Sequence, residues 1–192
     1  MNLQSLLGFH RRRPRPPLAA RPAGGARVGE IAEWIPSERL ITDPAELRVY
    51  ECDGLSLVKH PPVAVVLCAG REEVRHTVEW CHATGTPFVP RGAGTGQKGG
   101  ATPAPGSVVI DTSLLRRVLR VDPENHYAVV EPGLVNLDLT RSVEPEGLCF
   151  SPDPPSRSAC TLAGNVAENS SGPHGFEYGV TTDHILGLEV VL

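Results

Sequence analysis

The stretch PRGAGTGQKGG, at residues 90–100, follows a short predicted strand at residues 88–89. A glycine-rich loop directly after a strand lets successive backbone N–H groups point inward, and such a nest binds phosphate or pyrophosphate. Arg91 and Lys98 add positive charge to this loop. The stretch therefore predicts a phosphate-binding loop, with a turn-rich structural connector as the alternative.

Two common phosphate-binding motifs do not fit this loop. The Walker motif requires Gly-Lys followed by Ser or Thr, whereas Lys98 lies between Gln97 and Gly99. The dinucleotide fingerprint GxGxxG occurs at residues 94–99, but in a Rossmann fold it must open a helix. Residues 101–106, ATPAPG, contain two prolines that prevent a helix. We therefore predict neither fold.

A second glycine-rich segment, AGNVAENSSGPHG, lies at residues 163–175. Its small residues and two asparagine amides suit close packing against a flat ligand with polar edges. A dinucleotide is long enough to touch both this segment and the first loop.

The local patterns predict a mixture of helices and strands. A β-branched run at residues 63–67 predicts a buried strand, and residues 71–84 show helical spacing that ends at Gly85. With the strand at 88–89 they form a strand–helix–strand unit, for which we expect parallel strands and a right-handed connection. Further strands are predicted at 107–111, 118–122, 126–131 and 185–192, and helices at 44–50, 134–143 and 161–169.

The charge is distributed unevenly along a chain of 192 residues with a formal net charge of −4. Residues 1–30 contain six arginines and one acid, whereas residues 31–192 contain 12 basic and 21 acidic residues. The acidic remainder argues against a nucleic-acid-binding surface. We expect residues 1–30 to be a basic disordered extension, with a targeting segment as the alternative, and residues 31–60 to be a helical leader.

The cysteines and the hydropathy bear on compartment and metal binding. No apolar run approaches the ~20 residues that span a bilayer. The chain has no CxxC pair and no HExxH motif, so we predict no metal site and expect reduced, mostly buried thiols. These features favour a cytoplasmic protein and leave peripheral association with a membrane open. The five cysteines are Cys52, Cys68, Cys81, Cys149 and Cys160.

Several motifs in a fixed order resemble the FAD-binding domain of the vanillyl-alcohol oxidase/p-cresol methylhydroxylase (PCMH) superfamily. They are PRGAGTGQKGGA at 90–101, VVEPG at 129–133, PDPPS at 152–156 and the stretch from 162 to 192. Within it, the sequence is most similar to the glycolate oxidase D-subunit and D-lactate dehydrogenase branch. The resemblance implies an α+β, two-subdomain FAD-binding fold at residues 61–192 that is incomplete at the C-terminus.

The resemblance also implies the residues that hold FAD. The first loop would wrap the pyrophosphate through its backbone amides, and the later residues would line the flavin and ribityl side. Some members anchor the flavin through a histidine that aligns with Thr95, so a non-covalent flavin is expected here. No catalytic residue is nominated. His174, in the second glycine-rich segment, is the best candidate for a residue near the flavin ring, with an ordinary loop histidine as the alternative. The implied cofactor-binding residues are Arg91, Gly92, Ala93, Gly94, Thr95, Gly96, Gly100, Asp153, Ser156, Thr161, Gly164, Asn165 and Gly172.

The activity implied by the resemblance is oxidation of a 2-hydroxy acid, such as glycolate or D-lactate, to the 2-oxo acid. The partners would be this small substrate and an electron acceptor or partner subunit. Members are longer, so we expect the rest of the FAD domain and a substrate-holding cap to follow, and the isolated chain to be inactive. One alternative is a non-catalytic remnant or a subunit completed by another chain. Another is a flavin reductase of cell-wall sugar-nucleotide synthesis, which SPDPPS and GNVAENSSG fit less well.

Overall fold

The computed structural model describes residues 27–191. Its first element is a 3₁₀ helix at Val28–Glu33, which includes the last three residues of the predicted basic extension and buries Val28 and Ile31. Residues 1–26 of that predicted extension, and the last residue of the chain, lie outside the described residues.

The leader contains a short strand and a short helix, β1 (Leu40–Ile41) and α1 (Pro44–Leu47). Asp43 caps the helix, because its Oδ1 accepts hydrogen bonds from the backbone N–H groups of Ala45 and Glu46 at 2.8 and 3.3 Å. A 3₁₀ turn at Arg48–Tyr50 extends it. The helix predicted at 44–50 is therefore confirmed, as one α-helical turn followed by one 3₁₀ turn.

The main sheet has four strands in the order β1–β2–β4–β3. Strands β2 (Ala64–Leu67), β4 (Val108–Asp111) and β3 (Phe88–Arg91) are parallel, and β1 pairs antiparallel with β2. The predicted strand–helix–strand unit is present with parallel strands, but β4 lies between its two strands. The carboxyl ends of β2, β4 and β3 therefore share one edge of the sheet, and the glycine-rich loop leaves from this edge.

Helix α2 (Arg71–Thr84) packs on this sheet and ends as predicted at Gly85, which has a φ of +68°. Both tryptophans pack against the hydrophobic cluster that includes α2. Trp34 Nε1 donates to Thr77 Oγ1 on α2 at 3.2 Å, and Trp80 Nε1 donates to the Glu30 carboxylate at 2.8 Å. One hydrophobic cluster joins the first 3₁₀ helix, the sheet and α2; its buried members are Val28, Ile31, Ile35, Ala64, Val66, Cys68, Cys81, Val108 and Ile110.

A second hydrophobic cluster joins an antiparallel hairpin to two helices. The hairpin strands are β5 (Val118–Asp122) and β6 (Tyr127–Val130), and the helices are α3 (Asn136–Val143) and α4 (Leu162–Glu168). Its buried members are Leu134, Leu139, Val143 and Leu162. A one-turn helix, α5 (Gly175–Tyr178), follows α4. The mixed helix and strand content agrees with the predicted α+β class.

The predicted strand at residues 185–192 is wrong for the described part of that range. Residues 185–191 have no strand partner, and the side chains of Leu186, Leu188 and Val190 are exposed. An apolar β-branched run indicates a strand only where a neighbouring strand completes the hydrogen-bond ladder, and residues 27–191 provide none there. Over the same described range, every helix is too short or too polar to cross a bilayer.

The thiols give the first testable expectation. All five cysteines are free; Cys68, Cys81 and Cys160 are buried, and Cys149 is exposed. Burial raises the pKa of both the Cys68 and the Cys81 thiol to about 12, which suppresses the reactive thiolate. With a thiol-reactive dye at pH 8, followed by peptide mass spectrometry, we expect rapid labelling of Cys149 and labelling of the three buried thiols only after denaturation. Rapid labelling of Cys68 or Cys81 in the folded chain would contradict the packing of α2 on the sheet.

Candidate functional site: a glycine-rich loop and its supports

The glycine loop, residues 92–100, leaves the carboxyl end of β3 and does not enter a helix. Gly94 and Gly99 have φ values of +68° and +79°, which side-chain-bearing residues rarely adopt. Among residues 27–191, no acceptor receives a hydrogen bond from any of the nine backbone N–H groups of this loop. Since backbone N–H groups in folded proteins are nearly always paired, a run of unpaired N–H groups indicates a candidate anion-binding site. The predicted absence of a helix after the loop is confirmed.

The beginning of the loop is in contact with the N-terminus of α4. Thr161 is the N-cap of α4, and its Oγ1 accepts a long hydrogen bond from Gly164 N–H at 3.4 Å. A Cβ atom added at Gly92 would overlap Thr161 Oγ1. Glycine at position 92 therefore permits the loop to approach Thr161, directly before the second glycine-rich segment.

The far end of the loop is in contact with the other end of α4. A Cβ atom at Gly100 would lie 2.6 Å from Glu168 Oε1, and Lys98 Nζ lies 3.4 Å from Glu168 Oε2. The Lys98 side chain is 74% exposed, so this ion pair contributes little stability. Helix α4 thus runs beside the whole loop.

The backbone N–H groups at the start of helix α4 are not free to bind an anion. The N–H groups of Leu162 and Ala163 donate to the carbonyls of Leu134 and Pro132 at 2.9 and 3.0 Å, and Gly164 donates to Thr161. The donors that a helix start normally leaves unpaired are therefore occupied. The free backbone donors near the start of α4 are therefore those of the loop.

Asn165 is the buried polar residue of α4 that has an unused group. Its side chain is 1% exposed, and Nδ2 donates to no acceptor among the described residues. Leaving a buried amide unpaired costs about 1–3 kcal/mol, so such a group indicates a missing acceptor. Asn165 follows Gly164, beside the point where α4 touches Gly92.

A second group of predicted site residues lies around Asp153. Asn136 Nδ2 donates to Pro152 O at 3.0 Å and so holds this loop against α3. The Asp153 carboxylate accepts from Arg157 Nη1 at 2.9 Å, and His174 Nδ1 lies 3.7 Å from Asp153 Oδ2. A Cβ atom at Gly172 would overlap the Asp153 backbone. The structure thus brings together Asp153, Gly172 and His174, while Ser156 contributes a carbonyl that accepts from Cys160 N–H at 2.8 Å.

The side chain of Arg91 does not add its charge to the open side of the loop as expected. Its Nη1 donates to Cys52 O at 2.8 Å and to Ala101 O at 3.4 Å, and its guanidinium lies over the Tyr50 ring at 5.5 Å. A Cβ atom at Gly94 would overlap this guanidinium. The Arg91 side chain therefore fills the space behind the loop. The sequence pattern does not indicate on which side of the loop this side chain lies.

Near Arg91, the carboxyl end of β4 contributes Asp111, which is 3% exposed. Burial raises the pKa of Asp111, while the hydrogen bond that its Oδ1 accepts from Ser113 N–H at 2.7 Å and the Arg91 charge lower it. Burial likewise raises the pKa of Tyr50. Tyr50 and Asp111 are thus partly or fully buried polar groups beside the Arg91 guanidinium, behind the loop.

Sequence reasoning missed two supports of the loop. One is Glu168, whose contact with Gly100 depends on the length of α4. The other is the segment at residues 50–55, YECDGL, which reaches the loop from the leader. Its Asp53-Gly54 pair is a turn signal, but a turn signal does not indicate the partner of a turn.

Comparison with known proteins identifies the family of this chain. A family model described as "FAD binding domain" matches residues 62–192. The chain is 39% identical over 160 residues to glycolate oxidase subunit GlcD of Escherichia coli, covering 83% of this chain and 32% of that protein. It is 36% identical over 134 residues to D-lactate dehydrogenase of Anaerostipes hadrus, covering 70% of this chain and 28% of the relative.

The fold is shared with a crystal structure of p-cresol methylhydroxylase, at a TM-score of 0.67 and 23% identity, covering 78% of this chain and 30% of that one. The chain thus spans about a third of the length of these relatives. The residues that the family model matches include the glycine loop and α4. With the family model matched over both glycine-rich segments, the chain belongs to the FAD-binding domain family of FAD-linked oxidases and dehydrogenases.

Proposed function

We propose that the glycine loop holds the pyrophosphate of FAD and that α4 and the Asp153 cluster line its flavin and ribityl side. The observation that carries this proposal is the run of nine loop amides without an acceptor among the described residues. Two phosphates present several acceptor oxygens and negative charge, which suit such a run. The unpaired and buried Nδ2 of Asn165 adds a donor on the α4 side.

The residue roles follow from this arrangement. Loop residues Gly92 to Gly96, with Ala93 and Thr95 between the glycines, would bind through the main chain, while Arg91 holds the loop from behind and Gly100 permits the approach of Glu168. Thr161, Gly164 and Asn165 would line one face, and Asp153, Ser156 and Gly172 the other. Since Thr95 has no nucleophilic ring nitrogen, we propose that FAD is bound non-covalently.

We propose that the complete enzyme oxidises a 2-hydroxy acid of the glycolate or D-lactate class. The relatives named for glycolate oxidase and D-lactate dehydrogenase support this class. When bound, FAD supplies the oxidising power by accepting a hydride from the α-carbon of the acid. The chain's own contribution is to bind and orient this group. We assign no general base. The His174 ring lies beside the Asp153 carboxylate, which also forms an ion pair with Arg157.

The test is a titration of FAD with the purified 192-residue chain, followed by its fluorescence. We expect saturable quenching, competition by inorganic pyrophosphate, and release of all flavin into the supernatant when the protein is precipitated with acid. With glycolate or D-lactate and an artificial electron acceptor, we expect no turnover by this chain alone. Absence of quenching would contradict FAD binding, and flavin that stays with the precipitate would contradict non-covalent attachment.

A further inference from the structure

The glycine loop needs an external support to keep one shape. Its nine N–H groups make no hydrogen bonds to residues 27–191, so no hydrogen-bond ladder among these residues restricts the conformation of the loop. Ordering a residue costs about 1–2 kcal/mol in backbone entropy, and glycine costs more than other residues. A loop that presents its donors in a fixed array must therefore be held from outside. Residues 50–55, here called the strap, lie on the side of the loop from which Arg91 is held.

The backbone of the strap is hydrogen-bonded to the backbone of the loop. Gly54 N–H donates to Gly96 O at 2.7 Å. A Cβ atom at Gly54 would lie 2.7 Å from Gly96 O and 3.2 Å from Thr95 O, so only glycine allows this approach. The bond turns the Gly96 carbonyl toward the strap. In a short loop of alternating glycines, fixing one carbonyl also restricts where the neighbouring N–H groups point.

The side chain of Asp53 ties the strap to the end of the loop. Asp53 is 7% exposed; its Oδ1 accepts from Leu55 N–H at 2.8 Å, and its Oδ2 accepts from Ala101 N–H at 3.4 Å. The same Oδ2 lies 3.7 Å from the position of a Cβ atom at Gly96. One carboxylate thus shapes the turn of the strap and receives the first amide after the loop.

Arg91 joins the strap to the beginning of the loop. Its guanidinium donates to Cys52 O, lies over Tyr50, and also reaches Ala101 O. Both ends of the loop are therefore attached to the same six residues. The strap lies outside the part of the chain that the family model matches, residues 62–192.

We propose that the strap sets the curvature of the glycine loop and that Asp53 is a positioning residue for FAD, acting through the loop amides. This inference rests on the proposed function of the loop. It differs from a role in stability alone, because it requires the flavin-free loop to become less ordered when the strap contact is weakened. It also requires FAD affinity to fall more than the loss of stability would predict.

The experiment compares Asp53→Asn with Thr77→Val in the full chain. Asparagine keeps the size of Asp53 but replaces one acceptor oxygen with a donor, so it cannot serve both Leu55 and Ala101. Thr77→Val removes the buried acceptor of Trp34 on α2 without touching strap or loop. Hydrogen–deuterium exchange of the flavin-free proteins reports loop order, and FAD fluorescence quenching reports affinity.

For Asp53→Asn we expect faster exchange in peptides covering residues 92–101 and about tenfold weaker FAD binding. For Thr77→Val we expect a lower unfolding midpoint with wild-type loop exchange and affinity. If Asp53→Asn does not fold, Gly54→Ala carries the same expectations, with Gly187→Ala as its control, since a Cβ atom at Gly187 meets nothing within 4 Å. Wild-type exchange and affinity in the strap variant would overturn the inference. Failure of the wild type to bind FAD would instead overturn the proposed function, and the exchange measurement would still decide whether the strap orders the loop.

Discussion

Replacing Gly172 with alanine should lower the thermal unfolding midpoint of the chain by about 6–12 °C. The added Cβ would overlap the backbone O and C atoms of Asp153, so the polypeptide itself, and not only a side chain, must move. Such overpacking costs about 3 kcal/mol, and each kcal/mol corresponds to about 2–4 °C in a chain of this size. Because Asp153 would move with its backbone, we also expect FAD binding to weaken. Scanning calorimetry and the FAD titration measure the two effects.

Gly187→Ala is the matched control for this substitution. A Cβ atom at Gly187 meets nothing within 4 Å, and its φ is not in the left-handed region. Replacing glycine by alanine at a compatible position changes stability by about 0.4–1 kcal/mol, in the stabilising direction. If both variants melted at the same temperature, the close contact between the second glycine-rich segment and the Asp153 loop would be wrong.

Gly92→Ala is expected to weaken FAD binding by about tenfold to a hundredfold, and removal of the Thr161 hydroxyl is expected to reverse most of this loss. The Cβ added at position 92 would overlap Thr161 Oγ1, which is buried and receives a hydrogen bond from Gly164. Relief of the overlap would displace the first loop amides from the start of α4. In a Thr161→Ala background the overlapping atom is absent, so the same glycine substitution should change the affinity by less than about threefold.

A double-mutant cycle distinguishes this contact from separate effects at the two positions. The dissociation constant for FAD is measured for the wild type, Gly92→Ala, Thr161→Ala and the double variant. Thr161→Ala alone reports what the hydroxyl contributes to capping and to the ligand. Losses that multiply in the double variant would show that the two glycine-rich segments do not constrain each other.

Much of the local structure could be predicted from the sequence, because the deciding interactions lie within a few residues. Asp43 caps a helix whose first residue is a proline, and Gly85 ends α2 in a left-handed conformation; both depend on neighbours in the chain. The hairpin turn between β5 and β6 is equally local. An aspartate before a proline, or a glycine after a helical run, favours few other local conformations, so the sequence alone indicates these helix ends.

The features that the sequence did not indicate depend on contacts between distant residues. The insertion of β4 between β2 and β3 follows from sheet assembly, not from the composition of any strand. The direction of the Arg91 side chain depends on Cys52 O, which is 39 residues away in the chain. The apolar residues 185–191 lack the partner that a strand needs among the described residues. For the site, both glycine-rich segments could be predicted, whereas the supports that shape them could not.

The position of both tryptophans has a practical consequence. Their indoles contact Thr77 and Glu30 in the cluster around α2, whereas the second cluster around β5, β6, α3 and α4 contains neither of them. Intrinsic tryptophan emission therefore reports on the cluster around α2 and not on the cluster around α3 and α4. A circular dichroism melt that precedes the change in emission would reveal loosening around α4, the side on which we propose that FAD binds.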